Sequence, residues 1–414
     1  LQRRYAPSNL PRRPCFPTIR RLASLEARRS RSGLSSVAVI SGKTMRVAVF
    51  ADQLFYRQPG GIGTYLRHIV PGIAERMEDG SLVLAHHGGG EKPLFPGLDK
   101  VEEISLPWRR DAMGLSWHAL GAPRVERFLG GLDALHAPSL VFPPSRAPLV
   151  ATVHDLCVLR YPEMFPARWR AFHRRGLQLI LRHARVILAD SRSTRDDLRS
   201  LTGKDDARVR VVPLGVEVRD SPPNAAVEVV LSKHGLEPGF MLFVGTIEPR
   251  KNLARLVRAY SSFTTEEKRR SGELVLVGAA GWMGKKELAR ILSQAGVRWL
   301  GYLPREELEA LYAAARLFVY PSLYEGFGLP VLEAMARGLP VVTSNTSSLR
   351  EIGEGVALLV DPHDPMEMGR AIRRLAESEE LREQLGAAGR ERAAEYPWDR
   401  TCELTLEAYK EASG

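Results

Sequence analysis

From Met45 onward the sequence predicts an α/β chain built on two doubly wound parallel sheets, and three observations predict it. Short apolar runs suited to strands buried on both faces alternate with stretches of helical period, the pattern of a parallel sheet covered by helices. The alternation restarts after the polar, proline-rich residues 220–224 (DSPPN), so the architecture occurs twice. Turns rich in glycine and charge follow the strands, where open α/β sheets gather their ligands.

With 414 residues, 44% of them hydrophobic, the chain can build two cores. No run of eighteen apolar residues offers a membrane span. Cys15, Cys157 and Cys402 are too scattered for a disulfide framework or a metal cluster, which fits a reducing cytosol. The net charge of +11 resembles a nucleic-acid signal until it is located. Residues 1–44 hold ten Lys and Arg against one acidic residue, Glu26, which leaves +2 for residues 45–414 and removes the case for nucleic acid. That leading segment is rich in Arg, Ser and Pro, lacks periodicity and reads as disordered. It resembles an organelle transit peptide or, because Met45 opens directly into a strand, an over-extended start.

Taken in order, residues 45–51 (MRVAVFA) form the first strand and feed Gln58-Pro59-Gly60-Gly61-Ile62-Gly63, a glycine turn before a helix carrying Ile69, Val70 and Ile73. Gly60 and Gly61 suit close backbone approach to a ligand, and a tight turn with no ligand accounts for them equally well. Leu66 stands where a dinucleotide fingerprint needs its third glycine, and no acidic residue ends the second strand, so that cofactor class is disfavoured. Strands follow near residues 82–85 and 133–136, with His136 an ordinary strand-end residue. Residues 148–156 (PLVATVHDL) deliver His154 and Asp155 at a strand's carboxyl end, with Asp155 read as orienting the histidine or, in preference, capping the next turn. A helix over 168–183, a strand at 186–189, a helix opened by a Ser193-Thr194-Arg195-Asp196 capping box, and a strand at 209–212 complete a first domain of residues 45–218.

The second domain, residues 219–395, begins with the buried strand 240–245 and the segment Thr246-Ile247-Glu248-Pro249-Arg250-Lys251-Asn252. Asn252 is expected to cap the following helix. Arg250 and Lys251 just before a helix start suit a diphosphate, Lys251 first and Arg250 second, with Glu248 bracing them. Strands at 273–278 and 297–300 follow, the loop Ala279-Ala280-Gly281-Trp282-Met283-Gly284 shaping either a base pocket or a simple turn. A helix over 305–315 leads to residues 319–342 (VYPSLYEGFGLPVLEAMARGLPVV), and a strand at 358–360 closes the sheet. Residues 396–414 form a last helix expected to cross back to the first domain.

Residues 319–342 carry the chemistry. An apolar strand ends at Pro321, Gly326 and Gly328 leave the turn bare, Pro330 presets a helix over 331–337 and Gly338 stops it. Two carboxylates flank the turn, Glu325 before the helix and Glu333 expected within its first turn. An ionised carboxylate accepts two hydroxyl protons and so reads a vicinal diol, while the helix start favours an anion. This stretch resembles the signature of the retaining nucleotide-sugar glycosyltransferases of the GT-B fold, family four. The resemblance covers residues 45–412 and implies two Rossmann-like domains facing across a cleft. It implies that Glu333 holds the nucleotide ribose, that Glu325 holds the hydroxyls of the donor sugar, and that Gly326, Phe327, Gly328 and Leu329 approach the sugar and diphosphate. It also implies that His154 lines the reaction centre, that Gly60 and Gly61 face the cleft, and that Lys251 and Arg250 serve the diphosphate. Thr246 departs from the family, which often has an arginine there.

The activity so implied is transfer of a hexose from a nucleotide diphosphate sugar to a hydroxyl acceptor with retention, without metal, cofactor or protein nucleophile. The wording PSLYEGFGLPVLEA and GTIEPRKN resembles bacterial mannosyltransferases of surface-polysaccharide assembly, which implies GDP-mannose. Glycoside hydrolysis by a carboxylate pair fits poorly, because Glu333 belongs to a phosphate-type turn. A non-catalytic sugar-nucleotide binder of the same fold is the alternative, separated by donor turnover.

One stretch points to the acceptor. Residues 164–189 hold no acidic residue, and Arg168, Arg170, Arg174, Arg175, Arg182 and Arg185 are interleaved with Phe165, Trp169 and Phe172. That is the composition of a helix lying on an anionic membrane, which would place the enzyme at the cytoplasmic face beside a lipid-linked saccharide. A solvated helix with its aromatics in the core is the competing reading.

Overall fold

The computed structural model describes residues 45–56, 60–78, 80–87, 98–107, 110–203 and 205–414. The leading segment and residues 57–59 of the glycine turn lie outside the described residues. β1 (Val47–Phe50), β2 (Leu82–His87), β3 (Glu102–Leu106), β4 (Ala134–Ala137), β5 (Leu149–Val153), β6 (Ala184–Ala189) and β7 (Val209–Val211) form one seven-stranded sheet. Its order is β3-β2-β1-β4-β5-β6-β7. β8 (Met241–Val244), β9 (Leu274–Val277), β10 (Val297–Trp299), β11 (Leu317–Tyr320), β12 (Val341–Ser344) and β13 (Leu358–Val360) form a six-stranded sheet, order β10-β9-β8-β11-β12-β13. Every pairing is parallel. The central strands are fully buried, as continuous runs of Val, Leu, Ile and Phe require between helical layers.

Strand order reverses beside β1 and β4 in the first sheet and beside β8 and β11 in the second. Open α/β sheets bind ligands outside the carboxyl ends of the strands at these reversals. The segments leaving β8 and β11 are 245–252 and 321–328, so topology alone brings Lys251 and Glu325 to one crevice.

The helix Trp398–Ser413 packs on the helix Gly60–Ala74 and against the first sheet. Tyr409 is fully buried there and its hydroxyl lies 2.7 Å from His136 Nδ1. A small apolar cluster of Cys157, Val158, Phe165 and Tyr324, flanked by Tyr161, Met164 and Trp282, joins residues of the two sheets' turns.

Several local expectations are corrected. The helix after the glycine turn runs Leu329–Ala336, capped by Gly328, so Glu333 is in its second turn rather than its first. The helix Arg192–Thr202 is capped by Ser191, whose Oγ accepts from the Thr194 N–H, because the extended backbone that a cap requires falls at Ser191 and not at Ser193. Asn252 precedes the helix Leu253–Ser261 but makes no side-chain cap. Its Nδ2 instead donates to the Pro321 carbonyl at 3.0 Å and to the Pro362 carbonyl at 2.7 Å.

The arginine-rich helix Ala167–His183 leaves Arg168, Arg174 and Arg182 exposed. Its aromatics are mostly committed to packing: Phe165 is buried, Phe172 stacks on His118 at 4.3 Å, and Trp169, 38% exposed, lies 5.4 Å from Trp282. Exposed apolar surface beside it comes from the neighbouring helix Arg110–Leu120, at Leu115 (66%) and Leu120 (77%). No helix among the described residues is long and apolar enough to cross a membrane.

Candidate active site

At the strand reversal of the second sheet, Arg250, Lys251 and Glu325 form one buried ionic cluster. The Lys251 ammonium donates to Glu325 Oε1 at 2.6 Å and to the Tyr320 hydroxyl. The Arg250 guanidinium donates to Glu325 Oε2, to the Tyr324 carbonyl at 3.2 Å, and pairs with Glu248. Lys251 is 5% exposed and Glu325 7%. Burial opposes ionisation of Glu325, but Arg250 and then Lys251 more than offset it and hold the carboxyl down at about 2. The four residues therefore balance two cations against two carboxylates. Glu248 is the weaker counter-ion, because burial pushes its carboxyl above the usual range.

The backbone beside this cluster is unusual. Asn252 (φ 61°) and Ser347 (φ 52°) are the two non-glycine residues in the left-handed region among the described residues, and both border the Glu325 turn. Ser347 Oγ accepts from the Glu325 N–H at 3.1 Å, and the Ser348 hydroxyl donates to the Glu325 carbonyl at 2.9 Å. Each such conformation costs on the order of 1–3 kcal/mol and is kept only where the surroundings over-determine it. Here they fix the loop that carries the carboxylate.

Glu333 is held by a separate set. Arg305 donates to its Oε1 at 2.7 Å and the Tyr312 hydroxyl to its Oε2 at 3.1 Å. Arg305 also pairs with Glu309 at 2.7 Å, and Glu309 pairs with Arg337. Arg250 and Lys251 are thus with Glu325, whereas Glu333 stands with Arg305 and Tyr312, two residues that sequence reasoning missed. Arg305 and Glu309 are four apart on one helix and Tyr312 lies one turn on, a face legible only once its partner helix is known.

On the first sheet, Val153 of β5 pairs with Ala189 of β6, so the next residue of each strand, His154 and Asp190, come alongside. His154 Nδ1 is 2.7 Å from Asp190 Oδ2, and the Tyr65 ring meets the imidazole edge-on at 5.1 Å. His154 Nε2 is wholly buried, and the ring is also hydrogen-bonded to the Pro138 backbone carbonyl. Burial disfavours the imidazolium, yet the charge and hydrogen bond of Asp190 outweigh it and raise the His154 pKa. Asp155, the sequence neighbour, does not orient the ring; its Oδ1 accepts from the Cys157 N–H at 3.0 Å as a turn cap. His136 bonds Tyr409 and, at 2.8 Å, Thr152; burial pushes its pKa down to about 3, as befits a neutral strut.

The two sides meet at Gly326. A Cβ there would lie 1.6 Å from the His154 carbonyl oxygen, so the residue is bare because the first sheet's turn presses on it. The Thr194 hydroxyl donates to the Gly326 carbonyl at 3.2 Å, and the Tyr324 hydroxyl to Asp197 at 2.6 Å. Phe327 is buried with its ring 5.8 Å from Tyr396, Gly328 takes φ 114° against Leu349, and Leu329 opens the helix half-buried. Gly60 (φ 61°) and Gly61 are exposed, with nothing within 4 Å of either Cβ position. A cavity of about 350 Å³ lies beyond Phe327, lined by Asp190, Arg192, Glu351, Arg392 and Tyr396 among others, and includes none of Arg250, Lys251, Glu325 or Glu333.

Known proteins share the sequence pattern and the fold of this chain. Residues 59–220 match the family described as Glycosyltransferase Family 4, and residues 231–392 match Glycosyl transferases group 1. The chain is similar to the O-antigen chain mannosyltransferase B of Escherichia coli, 36% identical over 379 residues, covering 87% of this chain and 99% of that protein. Among solved structures it resembles sucrose-phosphate synthase from Thermosynechococcus elongatus (TM-score 0.69, 20% identity, 88% of this chain and 98% of that one). It also resembles Anabaena HepE in complex with UDP-glucose (TM-score 0.67, 16% identity, 88% and 98%).

Proposed function

Because this chain belongs to the family 4 glycosyltransferases, with a group 1 glycosyl transferase region as its second half, we propose that it transfers mannose from GDP-mannose, with retention, to a saccharide acceptor in surface-polysaccharide assembly. The observation that carries the reading is the buried Arg250–Lys251–Glu325 cluster at the reversal of the second sheet, next in the chain to Gly326, which packs on the His154 backbone carbonyl. Without ligand, Glu325 and Glu248 together balance the two cations, and Glu325 bonds both of them. A donor diphosphate takes over that role, which frees Glu325 to accept hydroxyls of the hexose. Lys251, Arg250 and the start of the helix Leu329–Ala336 then stabilise the charge that develops on the leaving diphosphate, so the reading needs no metal. The leaving phosphate helps deprotonate the acceptor, and no protein nucleophile is assigned. The donor sugar comes from the likeness to the O-antigen mannosyltransferase and from the sequence wording.

The test is incubation of residues 45–414 with a panel of nucleotide sugars and acceptor oligomannosides, measuring which nucleoside diphosphate is released. GDP from GDP-mannose is the expected product. Binding of a donor with no release under any pairing would favour the alternative, a non-catalytic sugar-nucleotide binder. Glu333, held ready by Arg305 and Tyr312, is assigned the ribose. Glu333→Ala should weaken GDP binding about tenfold by titration calorimetry, the order of one lost charged hydrogen bond. Unchanged affinity would remove Glu333 from the nucleotide site.

The acceptor is read as lipid-linked, with the enzyme peripheral at the cytoplasmic face. Support comes from the exposed Arg168, Arg174 and Arg182 on the helix Ala167–His183 and from the exposed Leu115 and Leu120 on the helix packed against it, since each cation near an anionic leaflet is worth about 1 kcal/mol. Vesicles containing phosphatidylglycerol should sediment the protein and neutral vesicles should not, with Arg168→Glu and Arg174→Glu abolishing the difference. Binding indifferent to lipid charge would make a soluble acceptor the better reading.

A further inference from the structure

Glu325 bonds both cations of the second half, and its two chain neighbours are tied to a single helix of the first half, Arg192–Thr202. Ahead of it, the Tyr324 hydroxyl donates to Asp197 Oδ2 at 2.6 Å; behind it, the Gly326 carbonyl accepts from the Thr194 hydroxyl at 3.2 Å. Thr194 and Asp197 are three apart and so share one face of that helix. The start of the same helix is closed by Glu351 of the second half, whose carboxylate accepts from the Arg192 N–H at 3.2 Å and from the Ser193 N–H at 2.5 Å. Tyr324 is 5% exposed, and its ring packs with Cys157, Val158 and Phe165, surroundings that a phenylalanine would fill as well. What needs a tyrosine is the hydroxyl. Its proton goes to Asp197, the Leu156 N–H is directed at its oxygen, and both partners belong to the first half. Asp197 is fixed in turn by Arg160, whose Nε donates to Oδ1 at 2.8 Å and leaves Oδ2 to the hydroxyl. The Tyr324 backbone carbonyl accepts from Arg250 at 3.2 Å, so one residue reaches from the first-half helix to the ionic cluster.

We infer that Tyr324 and Asp197 are positioning residues for the transfer reaction: their bond fixes the Glu325 turn, and through the Tyr324 carbonyl the Arg250 guanidinium, in register with the strand ends of the first half. This rests on the glycosyltransferase reading above. Neither side chain is assigned a contact with donor or acceptor. Lys251 and Glu333, which are assigned to the nucleotide, are held by the second-half residues Tyr320, Glu325, Arg305 and Tyr312, so nucleotide binding does not depend on the bridge. Transfer does depend on it, because the reacting groups come from both halves and misplacement by about 1 Å is costly. A loss confined to alignment shows in kcat and spares nucleotide affinity.

Tyr324→Phe removes the hydroxyl and keeps the ring, and Asp197→Ala removes its acceptor; both are made in the full chain, singly and together. Each single variant should lower kcat about tenfold, the order of one lost hydrogen bond to a charged group, with GDP affinity within about twofold of the parent. The double variant should be no slower than Asp197→Ala alone, because both changes remove the same bond. Parent-like kcat in Tyr324→Phe, or losses that multiply in the double variant, would overturn the proposal and leave Tyr324 a packing residue. Amide hydrogen exchange read by mass spectrometry needs no turnover. Residues 192–198 and 322–328 should exchange about tenfold faster in Tyr324→Phe, while β8 and β11 keep their parent rates. Parent-like exchange in both segments would show that the bond does not hold the turn to the helix, and would equally overturn the proposal. If the parent chain turns over no donor, the glycosyltransferase reading fails instead, while the exchange rates still decide whether Tyr324 ties the two together.

Discussion

Lys251→Ala should lower hexose transfer about a thousandfold, the upper range for removing one preorganised donor from a site where negative charge develops. The size follows from burial. Lys251 is 5% exposed, and its ammonium sits 2.6 Å from Glu325 in the space where a diphosphate would displace that carboxylate. Without it, Arg250 alone faces the leaving group and Glu325 loses half of its charge balance. Breaking a buried pair by removing one partner costs roughly 3–5 kcal/mol, so a lower thermal midpoint is expected as well, and the kinetics must be measured well below it. The diagnostic readout is nucleotide discrimination. Affinity for the nucleoside diphosphate should fall more than affinity for the monophosphate, and equal losses would move the diphosphate site away from Lys251.

Gly326→Ala should lower transfer about a hundredfold while leaving nucleoside diphosphate affinity almost intact. The added Cβ would lie 1.6 Å from the His154 carbonyl oxygen and 2.8 Å from the Asp155 Cβ, where real Cβ contacts essentially never fall below 3.0 Å. His154 O is backbone and cannot swing aside, so either the turn or the neighbouring half must move. A displacement of about 1 Å at reacting groups is enough for a hundredfold loss. Glu333 and its partners Arg305 and Tyr312 lie within the second sheet's own helices and stay as they were, which is why nucleotide binding should survive. Wild-type turnover in Gly326→Ala would show that the contact between the halves does not matter to the reaction.

The fold was legible wherever burial is two-sided. Val47–Phe50, Met241–Val244 and Leu317–Tyr320 read as strands because continuous apolar runs have one stable use in an α/β chain. The edge strand Glu102–Leu106, with the sequence EEISL and exposed positions, gave no such signal and was missed. Within the site, Lys251, Arg250 and Glu325 were legible because each follows a central strand directly. Asp190 was not, since it lies 36 positions from His154 and reaches it only through the register of β5 on β6. Arg305 and Tyr312 were hidden for the same reason: the helix Arg305–Ala314 meets Glu333 through packing, which local pattern does not encode. Gly326 was read as bare for a ligand, and the neighbour the structure shows is the backbone of His154.

The most direct test of the account is the anomeric configuration of the first bond formed. Proton NMR during incubation of residues 45–414 with GDP-mannose and an oligomannoside acceptor should show GDP released in step with a new α-mannosyl signal, the configuration of the donor. A β-linked product would contradict retention at the Glu325–Lys251–Arg250 site, and GDP-mannose left intact while other nucleotide sugars are consumed would contradict the assigned donor.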